Sequence, residues 1–418
     1  MRLLLLLVLS CVILTAKAQD TLSLFKCYQM AEAAHPLGLQ KAELEEINNL
    51  NKKIITSSYL PQINLNGQAT YQSDVVSIDL DIPTFEFPTP PLDQYKISLD
   101  VNQMIYDGGL TKRRKDLENN IYQTDLQKVE VDLYQIKDQV NEVFFFILIL
   151  QENLKLLHLT HEILTNQLES VRSGVINGVL LKSDQYILEA ELLKLDQNTE
   201  GVELSIESAN DILEILSGSD LENKILTPPQ VEITFSTAPN RPEHMLFQMQ
   251  RETLLSSAKL KSTEKMPRLI AFGQFGYGKP GLNILNNEFD TYYMAGLTLS
   301  WNLWDWQKIK NERQVYKVQT NVISSQQLAF DRNLEIALTK ERSSIEKLEK
   351  DIEKDLEIIE LQKKILKSVS AQLDNGVITS TEYIAQLNAV KQTYINLNTH
   401  QLQLIQAKIQ YQTILGDL

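Results

Sequence analysis

Three segments of the chain alternate apolar and polar residues with a period of two. In residues 95–106 the odd positions Ile97, Leu99 and Val101 are apolar, and the even positions between them are polar. Residues 297–303 and 62–68 show the same alternation. This period predicts β-strands with one apolar face and one polar face.

Such strands occur in soluble sandwiches and also in membrane barrels with a wet lumen. Two features favour the barrel. The segments have about 10–12 residues, as a tilted spanning strand requires. Aromatic residues also gather at the segment ends, as at a membrane interface. Four strands cannot close a barrel alone, because about eight is the practical minimum, so membrane strands would require an oligomer. The aromatic residues are Tyr71, Tyr106, Tyr277, Tyr292, Tyr293, Trp304 and Trp306.

Longer segments carry a helical period instead. From about 109 to 172, apolar residues at heptad spacing, such as Leu126 and Leu133, predict a coiled-coil seam. The last helix has two apolar stripes, one beginning at Val390 and the other at Ile395. The stripes lie about 140° apart around the helix. They predict neighbours on two sides, as in the wall of a helical barrel. A bundle-core helix with a wide apolar face is the alternative.

The chain resembles itself once. Residues 60–71 match residues 266–277 at an offset of 206, and residues 95–107 match residues 293–305 at an offset of 198. The offset of 198 also relates the tripeptide Asn-Gly-Val at 177–179 to the one at 375–377. Matches in the same order over two halves indicate a two-fold internal repeat of one supersecondary unit.

This repeat predicts the domain organisation. Residues 1–18 are a signal peptide, residues 19–225 form the first repeat, and residues 226–418 form the second. Each repeat contains a strand pair followed by a hairpin of long helices. The predicted strand pairs are 62–106 and 268–303, and the predicted helical hairpins are 109–216 and 306–415.

The N-terminus has the pattern of a secretory signal. Arg2 precedes an apolar run from Leu3 to Leu14, and Ala16-Lys17-Ala18 has the form of a cleavage site. Its removal would change the net charge from −14 to −16 and leave Cys27 as the single cysteine. A charge of this sign argues against nucleic-acid binding. No later segment predicts a spanning helix, since the longest apolar run, 143–150, has eight residues.

Motifs for catalysis and cofactor binding are absent from the sequence. His158, His161 and Glu162 could hold a metal ion, but seam and surface positions of a coiled coil explain them better. We find no nucleophile elbow, phosphate-binding loop or paired catalytic carboxylates. The sequence therefore predicts no enzymatic activity, no cofactor and no metal.

Several short motifs occur in matching places of the two halves. Ala33-Ala34-His35-Pro36 corresponds to Asn240-Arg241-Pro242-Glu243, Leu60-Pro61 precedes a strand, and Asn-Gly stands at each hairpin tip. Together with the signal and the duplicated strand pairs and hairpins, these motifs resemble the TolC family of outer membrane efflux proteins. The resemblance covers essentially the whole chain after the signal.

The resemblance implies an α+β membrane protein that works as a homotrimer. Each protomer would give four strands to a 12-strand transmembrane β-barrel in outer-membrane lipid, continuous with an α-barrel of coiled-coil hairpins in the periplasm. The trimer would be an exit duct that docks on a periplasmic adaptor (a membrane fusion protein) and an inner-membrane transporter. It would export small molecules or proteins, and drug efflux and protein secretion both stay open. The alternative is a periplasmic coiled-coil adaptor or scaffold, which predicts one hairpin instead of two.

The resemblance also assigns candidate site residues at the hairpin tips. The family pattern is Gly, then Ser or Thr three residues on, then Asp or Glu six residues on. Gly376, Thr379 and Glu382 match it fully, whereas Leu181 replaces the hydroxyl between Gly178 and Asp184. Asp184 and Glu382 are expected at the periplasmic aperture, where a trimer would hold six acids; the alternative is that both stabilise a helix N-terminus. The residues expected to dock the adaptor are Asn177, Gly178, Val179, Asn375, Gly376, Val377 and Thr379.

Overall fold

A computed structural model describes residues 21–76, 89–221, 224–233, 235 and 239–418. The predicted signal peptide, residues 1–18, lies outside the described residues. The chain forms two compact units. One unit, here the sheet unit, comprises residues 40–128 and 243–328, and the other, the hairpin unit, comprises the described residues up to 39, 129–242 and 329–418.

At two places along the described chain, a pair of strands is followed by long helices. The chain begins with β1 (Thr21–Ser23), α1 (Leu24–Ala34) and α2 (Gln40–Ser57). Next come β2 (Gln62–Tyr71), β3 (Asp93–Tyr106), α3 (Leu110–Tyr134), α4 (Ile136–Ile176) and α5 (Lys182–Ser217). After the short β4 (Ile225–Thr227) come α6 (Pro242–Ser262), β5 (Arg268–Lys279), β6 (Asp290–Ser300), α7 (Lys308–Asp374) and α8 (Ser380–Leu415).

The sheet unit contains one antiparallel sheet with the strand order β2-β3-β5-β6. The register places Leu65 opposite Leu99, Leu99 opposite Phe275, and Phe275 opposite Tyr293. Directly opposed residues point to the same face of a sheet. The alternating apolar positions of β2, β3 and β6 therefore share one face with Phe275 of β5, which confirms the alternation in the sequence. Ile270, Phe272 and Met294 lie on the other face.

The apolar face of the sheet is exposed in the single chain. Leu65 is 70% exposed, Phe275 60% and Leu297 68%. On the opposite face, the Asp100 carboxylate accepts hydrogen bonds from Gln274, Asn66 and Ser98. A sheet with an uncovered apolar face and a hydrogen-bonded polar face has a side suited to an apolar surrounding and a side suited to water.

Strand β6 is shorter than the sequence predicted. The alternating pattern placed its end at residue 303, but the strand ends at Ser300, which pairs with Arg268, the first residue of β5. Among the described residues, Ser300 is the last residue of β6 with a ladder partner, because β5 is the one strand that pairs with β6 there. The corresponding end of the inner strand β3 continues to Tyr106 against β5 across a bulge.

The first long helix is interrupted, in contrast to the single helix that the sequence predicted over 109–172. α3 ends at Tyr134 and α4 begins at Ile136, with Gln135 between them. Gln135 keeps helical dihedral angles, and the Asp138 N–H donates to its carbonyl at 3.2 Å, so the break is a single irregular turn. α7 runs without a break for 67 residues, roughly 100 Å at 1.5 Å per residue.

The core of the hairpin unit lies where α4 packs against α1, α5 and α8. Phe144 and Phe145 are fully buried, as is Cys27 on α1, which behaves as a small apolar residue. Tyr28 donates a hydrogen bond to the Asn141 side chain, so these two buried polar side chains are paired.

By length and composition, one helical run of the described chain, Leu110–Ile176, is apolar enough to cross a membrane. The apolar runs of the sequence predicted no such helix. The apolar stretch of this run lies in α4 and supplies buried side chains such as Phe144, Ile147 and Leu148 to the hairpin unit. Packing within the chain therefore accounts for part of its composition, since a third of the apolar window is buried.

Candidate functional site at the hairpin tips

Each helical hairpin reverses direction through a tight Asn-Gly turn. α4 ends at Ile176, and Gly178 follows with φ +69°; α7 ends at Asp374, and Gly376 follows with φ +67°. A positive φ costs a residue with a Cβ atom about 1–2 kcal/mol, which is why glycine stands at both turns. The N–H groups that follow each glycine bond back to the preceding helix: Val179 to the Gly174 carbonyl and Val377 to the Gln372 carbonyl, both at 2.9 Å.

The two tips lie against each other. A Cβ atom built on Gly376 would be 3.4 Å from the carbonyl oxygen of Val179. Asp374 at the end of α7 accepts hydrogen bonds from Gln167 and Ser170 of α4, each at 3.1 Å. An apolar cluster beneath the turns joins all four helices, and its buried members are Leu157, Leu164, Leu168, Val171, Leu188, Leu195, Leu373, Tyr383 and Leu387. The positions of the two turns are thus fixed by packing.

The first turn of α8 carries a complete capping box. Thr379 Oγ1 accepts from the Glu382 N–H at 3.4 Å, and Glu382 Oε2 accepts from the Thr379 N–H at 2.9 Å. Each side chain satisfies a backbone donor that the helix leaves free. Glu382 is exposed.

The corresponding turn of α5 has half of this arrangement. Asp184 Oδ2 accepts from the Leu181 N–H at 3.3 Å, but the Leu181 side chain has no acceptor to return the bond. The other carboxylate oxygen, Oδ1, accepts from the N–H of Ser380, the first residue of α8, at 3.0 Å. Asp184 is 8% exposed and therefore buried, whereas Glu382 is exposed.

Asp184 therefore ties the start of α5 to the start of α8, a role that the sequence did not predict. The spacing from each glycine made Asp184 and Glu382 look equivalent. Ser380 was also missed; it is fully buried, and its hydroxyl has no protein partner in the described part of the chain. Leu181 stands where the second turn has Thr379, and this difference was the one signal in the sequence that the two turns differ.

Apolar side chains cover the outside of the tips. Val179 is 59% exposed, and Leu181 and Val377 are each 71% exposed. Beside them, Arg172 and Glu189 form an ion pair at 2.8 Å, and hydrogen bonds from Arg172 and Gln185 lower the pKa of Glu189. Exposed apolar residues ringed by polar ones are typical of a protein-docking surface.

The histidines on α4 lie on its outer surface. His161 Nε2 is 3.4 Å from an Asp196 carboxylate oxygen on α5, and His158 and Glu162 are exposed. Among the residues that the structure describes, no three His, Cys, Asp or Glu side chains form a group suited to a metal ion.

The combination of a four-stranded antiparallel sheet with two hairpins of long helices is the fold of bacterial outer membrane channels. The solved outer membrane protein VceC of Vibrio cholerae superposes with a TM-score of 0.66 at 12% identity, over 94% of this chain and 96% of that one. The MtrE outer membrane channel of Neisseria gonorrhoeae gives a TM-score of 0.65 at 14% identity, over 94% and 88% of the two chains. A membrane protein from Pseudomonas aeruginosa gives 0.68 at 13% identity, over 94% and 90%.

At these identities the likeness is one of fold. A scan against protein-family models gives no match to the chain. A search of curated proteins gives no match either.

Proposed function

We propose that the chain is one protomer of an outer-membrane exit duct that extends into the periplasm. The observation that carries this proposal is the superposition over 94% of the chain on outer membrane channels, at TM-scores of 0.65 and 0.66 for two of them. The exposed apolar face of the sheet supports the same location, since an apolar face is stable when lipid covers it. The likeness to channels supports a conduit role over an enzymatic one.

The assembly that we propose is a homotrimer with a barrel of twelve strands. β2 and β6 are the edges of the sheet, and neither pairs with a second strand on its outer side in the described chain. Each backbone group left unpaired in lipid costs several kcal/mol. Pairing β2 of one protomer with β6 of the next would remove every edge.

The hairpin tips are the proposed docking surface for a periplasmic adaptor, which would connect the duct to an inner-membrane transporter. Val179, Leu181 and Val377 offer exposed apolar contacts on turns that are fixed by the cluster beneath them. The same end would form the aperture, with Glu382 exposed and Asp184 bonded to two backbone N–H groups. Acidic side chains at such an aperture would favour cations.

Membrane fractionation and native mass spectrometry test the proposal together. We expect the protein in the outer-membrane fraction after density-gradient separation, and we expect a trimer mass after detergent extraction. Recovery from the soluble periplasmic fraction without detergent would contradict the duct and support a scaffold. A membrane-embedded monomer or dimer would retain the location and contradict the twelve-strand barrel.

A further inference from the structure

Basic residues are concentrated where the chain enters and leaves one end of the sheet. Four segments flank that end: 48–60 before β2, 107–116 after β3, 259–268 leading into β5, and 305–313 after β6. These 42 residues hold 13 of the chain's 40 Lys and Arg residues and 5 of its 54 Asp and Glu residues. We call these four segments the basic collar.

The antiparallel register brings the four segments together. Gln62 pairs with Asn102 near the end of β3, and Arg268 pairs with Ser300 at the end of β6. Met104 of β3 pairs with Ile270 of β5, so the two hairpins are aligned at the same end. The opposite end differs in charge, because the described segments 72–76, 89–93 and 279–290 contain four acids and the single base Lys279.

The collar contains a polar hollow between three helices. The hollow has a volume of about 470 Å³, and its basic lining residues are Lys52 of α2, Arg113 and Lys115 of α3, and Lys259 of α6. Hydrogen bonds hold the helices around it. The Lys52 ammonium donates to Asn119 at 3.2 Å, and Asn120 donates to Ser256 at 2.6 Å.

The positive charge in the hollow is poorly neutralised. One acid, Asp116, lines it, and its carboxylate lies 3.3 Å from Arg113 in an exposed pair. Within the described residues, Lys115 and Lys259 form no ion pair with an acidic side chain. Four bases converging against one acid create a site for an anion.

Exposed aromatic residues lie at the same end of the sheet as the collar, and Trp306 is part of the collar itself. Tyr106 ends β3, and Trp301, Trp304 and Trp306 follow β6, each between 49% and 83% exposed. Trp301 donates its indole N–H to the Lys265 carbonyl at 3.0 Å, which joins the aromatic residues to the collar. Where a spanning segment meets the lipid headgroups, aromatic residues commonly come first and basic residues follow them outward.

We infer that the basic collar binds the phosphate of anionic phospholipid headgroups, with the hollow at Lys52, Arg113, Lys115 and Lys259 as its principal site. This inference rests on the proposed outer-membrane location. The collar would then fix the depth of the sheet in the bilayer, because its bases stay at the headgroups while the apolar face lies among the acyl chains.

Native mass spectrometry of the detergent-extracted full chain tests the inference with two added lipids. Phosphatidylglycerol and phosphatidylcholine with the same acyl chains are compared. We expect the anionic lipid to bind at least about tenfold more tightly, since each base near an anionic surface contributes on the order of fivefold. The variant K52Q/R113Q/K115Q/K259Q should lose most of this preference.

Two control variants separate the site from net charge and from folding. K340Q/K350Q/K364Q/K367Q removes four exposed bases from α7 outside the collar and should keep the preference. K52R/R113K/K115R/K259R keeps the charge of the hollow and should also retain most of it. If the α7 variant lost the lipid preference as much as the hollow variant does, the preference would depend on net charge alone. That result would overturn the assignment of the lipid site to the hollow.

Further outcomes distinguish the lipid from a soluble ligand and from failure of the proposed function. Displacement of the lipid by millimolar glycerol 1-phosphate would assign the hollow to a free phosphate ester and overturn the lipid assignment. A trimer that is extracted from the outer membrane but shows no lipid preference would overturn the lipid binding of the collar and leave the proposed duct in place. Recovery as a soluble protein would instead contradict the proposed duct.

Discussion

Asp184 and Glu382 each occupy the third position of a helix, α5 and α8, and the structure gives them different roles. Glu382 closes a capping box with Thr379 at the surface. Asp184 is buried and accepts one N–H from its own turn and one from Ser380 on the other hairpin. A carboxylate that joins two helices through charged hydrogen bonds contributes more than one that caps a single exposed turn.

We predict that Asp184→Asn weakens the tips more than Glu382→Gln does. The first change should lower the local free energy of unfolding by about 1–2 kcal/mol, because it removes the charge from one buried and one partly buried hydrogen bond. The second should cost about 0.5 kcal/mol at its exposed position. Amide hydrogen exchange of residues 378–384 would measure both changes. Equal losses would show that the bond to Ser380 adds nothing.

Asp107 connects the end of β3 to the start of α3. Its carboxylate accepts from the Gly109 N–H at 2.8 Å and from the Thr111 N–H at 2.6 Å. Burial by itself would raise the pKa of Asp107, but the hydrogen bonds from Thr111 and Gly109 outweigh it, and the pKa is lowered. Asp305 makes the matching bonds to Gln307 and Ile309 before α7.

The lowered pKa of Asp107 predicts a loss of stability in acid. A group with a lowered folded-state pKa stabilises the fold above its unfolded pKa of about 3.9 and loses that contribution as the pH falls through the folded value. Asp107→Asn should therefore reduce stability at pH 7 by about 0.5–2 kcal/mol and flatten its fall below pH 4. Thermal unfolding between pH 2 and 7 measures the difference. A parallel pH profile in wild type and variant would contradict the assignment.

At the scale of the elements, turn glycines and a helix glycine respond to substitution in opposite ways. Gly178 and Gly376 have positive φ values at the tips. Gly201 lies inside α5, where an added Cβ would meet no atom within 4 Å. In the first case glycine is required by the backbone, and in the second it costs helix stability.

We predict opposite signs for three alanine variants. Gly178→Ala and Gly376→Ala should each destabilise the hairpin unit by about 1–2 kcal/mol because of the left-handed backbone. Gly201→Ala should stabilise it by about 0.5–1 kcal/mol. Chemical denaturation in detergent would compare the three. Destabilisation by Gly201→Ala would indicate that this face of α5 packs closely against another protomer.

At the scale of the whole molecule, the single chain leaves its sheet unfinished. The apolar face is open, and both edges are free of a second neighbour in the described strands. The proposed trimer would complete the sheet and gather three copies of the hairpin tips around one opening. Charge at that opening would then act on every ion that passes.

We predict a cation-selective channel whose selectivity depends on the tip acids. In planar bilayers, Asp184→Asn combined with Glu382→Gln should lose most of the cation preference and most of the block by divalent or trivalent cations added on the periplasmic side. Glu382→Gln alone should have the larger single effect, because this carboxylate is exposed. Unchanged selectivity in the double variant would contradict a role in ion selection and would leave helix capping as the function of both acids.

The local pattern of residues was sufficient to predict the strands of the four-stranded sheet and the two helical hairpins. The period of two placed the strands and their apolar face, because neighbouring side chains on a strand point to opposite sides. Asn-Gly at 177–178 and 375–376 placed the two turns, because glycine reaches positive φ at little cost. The order of these elements was also sufficient to indicate a channel fold.

Contacts between residues distant in sequence decided the rest. β6 ends at Ser300 because its neighbour β5 begins at Arg268, and no residue within β6 carries that information. The Asp184 carboxylate is buried because Ser380, 196 positions later, lies against it. The gathering of bases at one end of the sheet likewise depends on the strand register, which brings four separated segments together. Periodicity along the chain describes sequence neighbours and carries no information about neighbours in space.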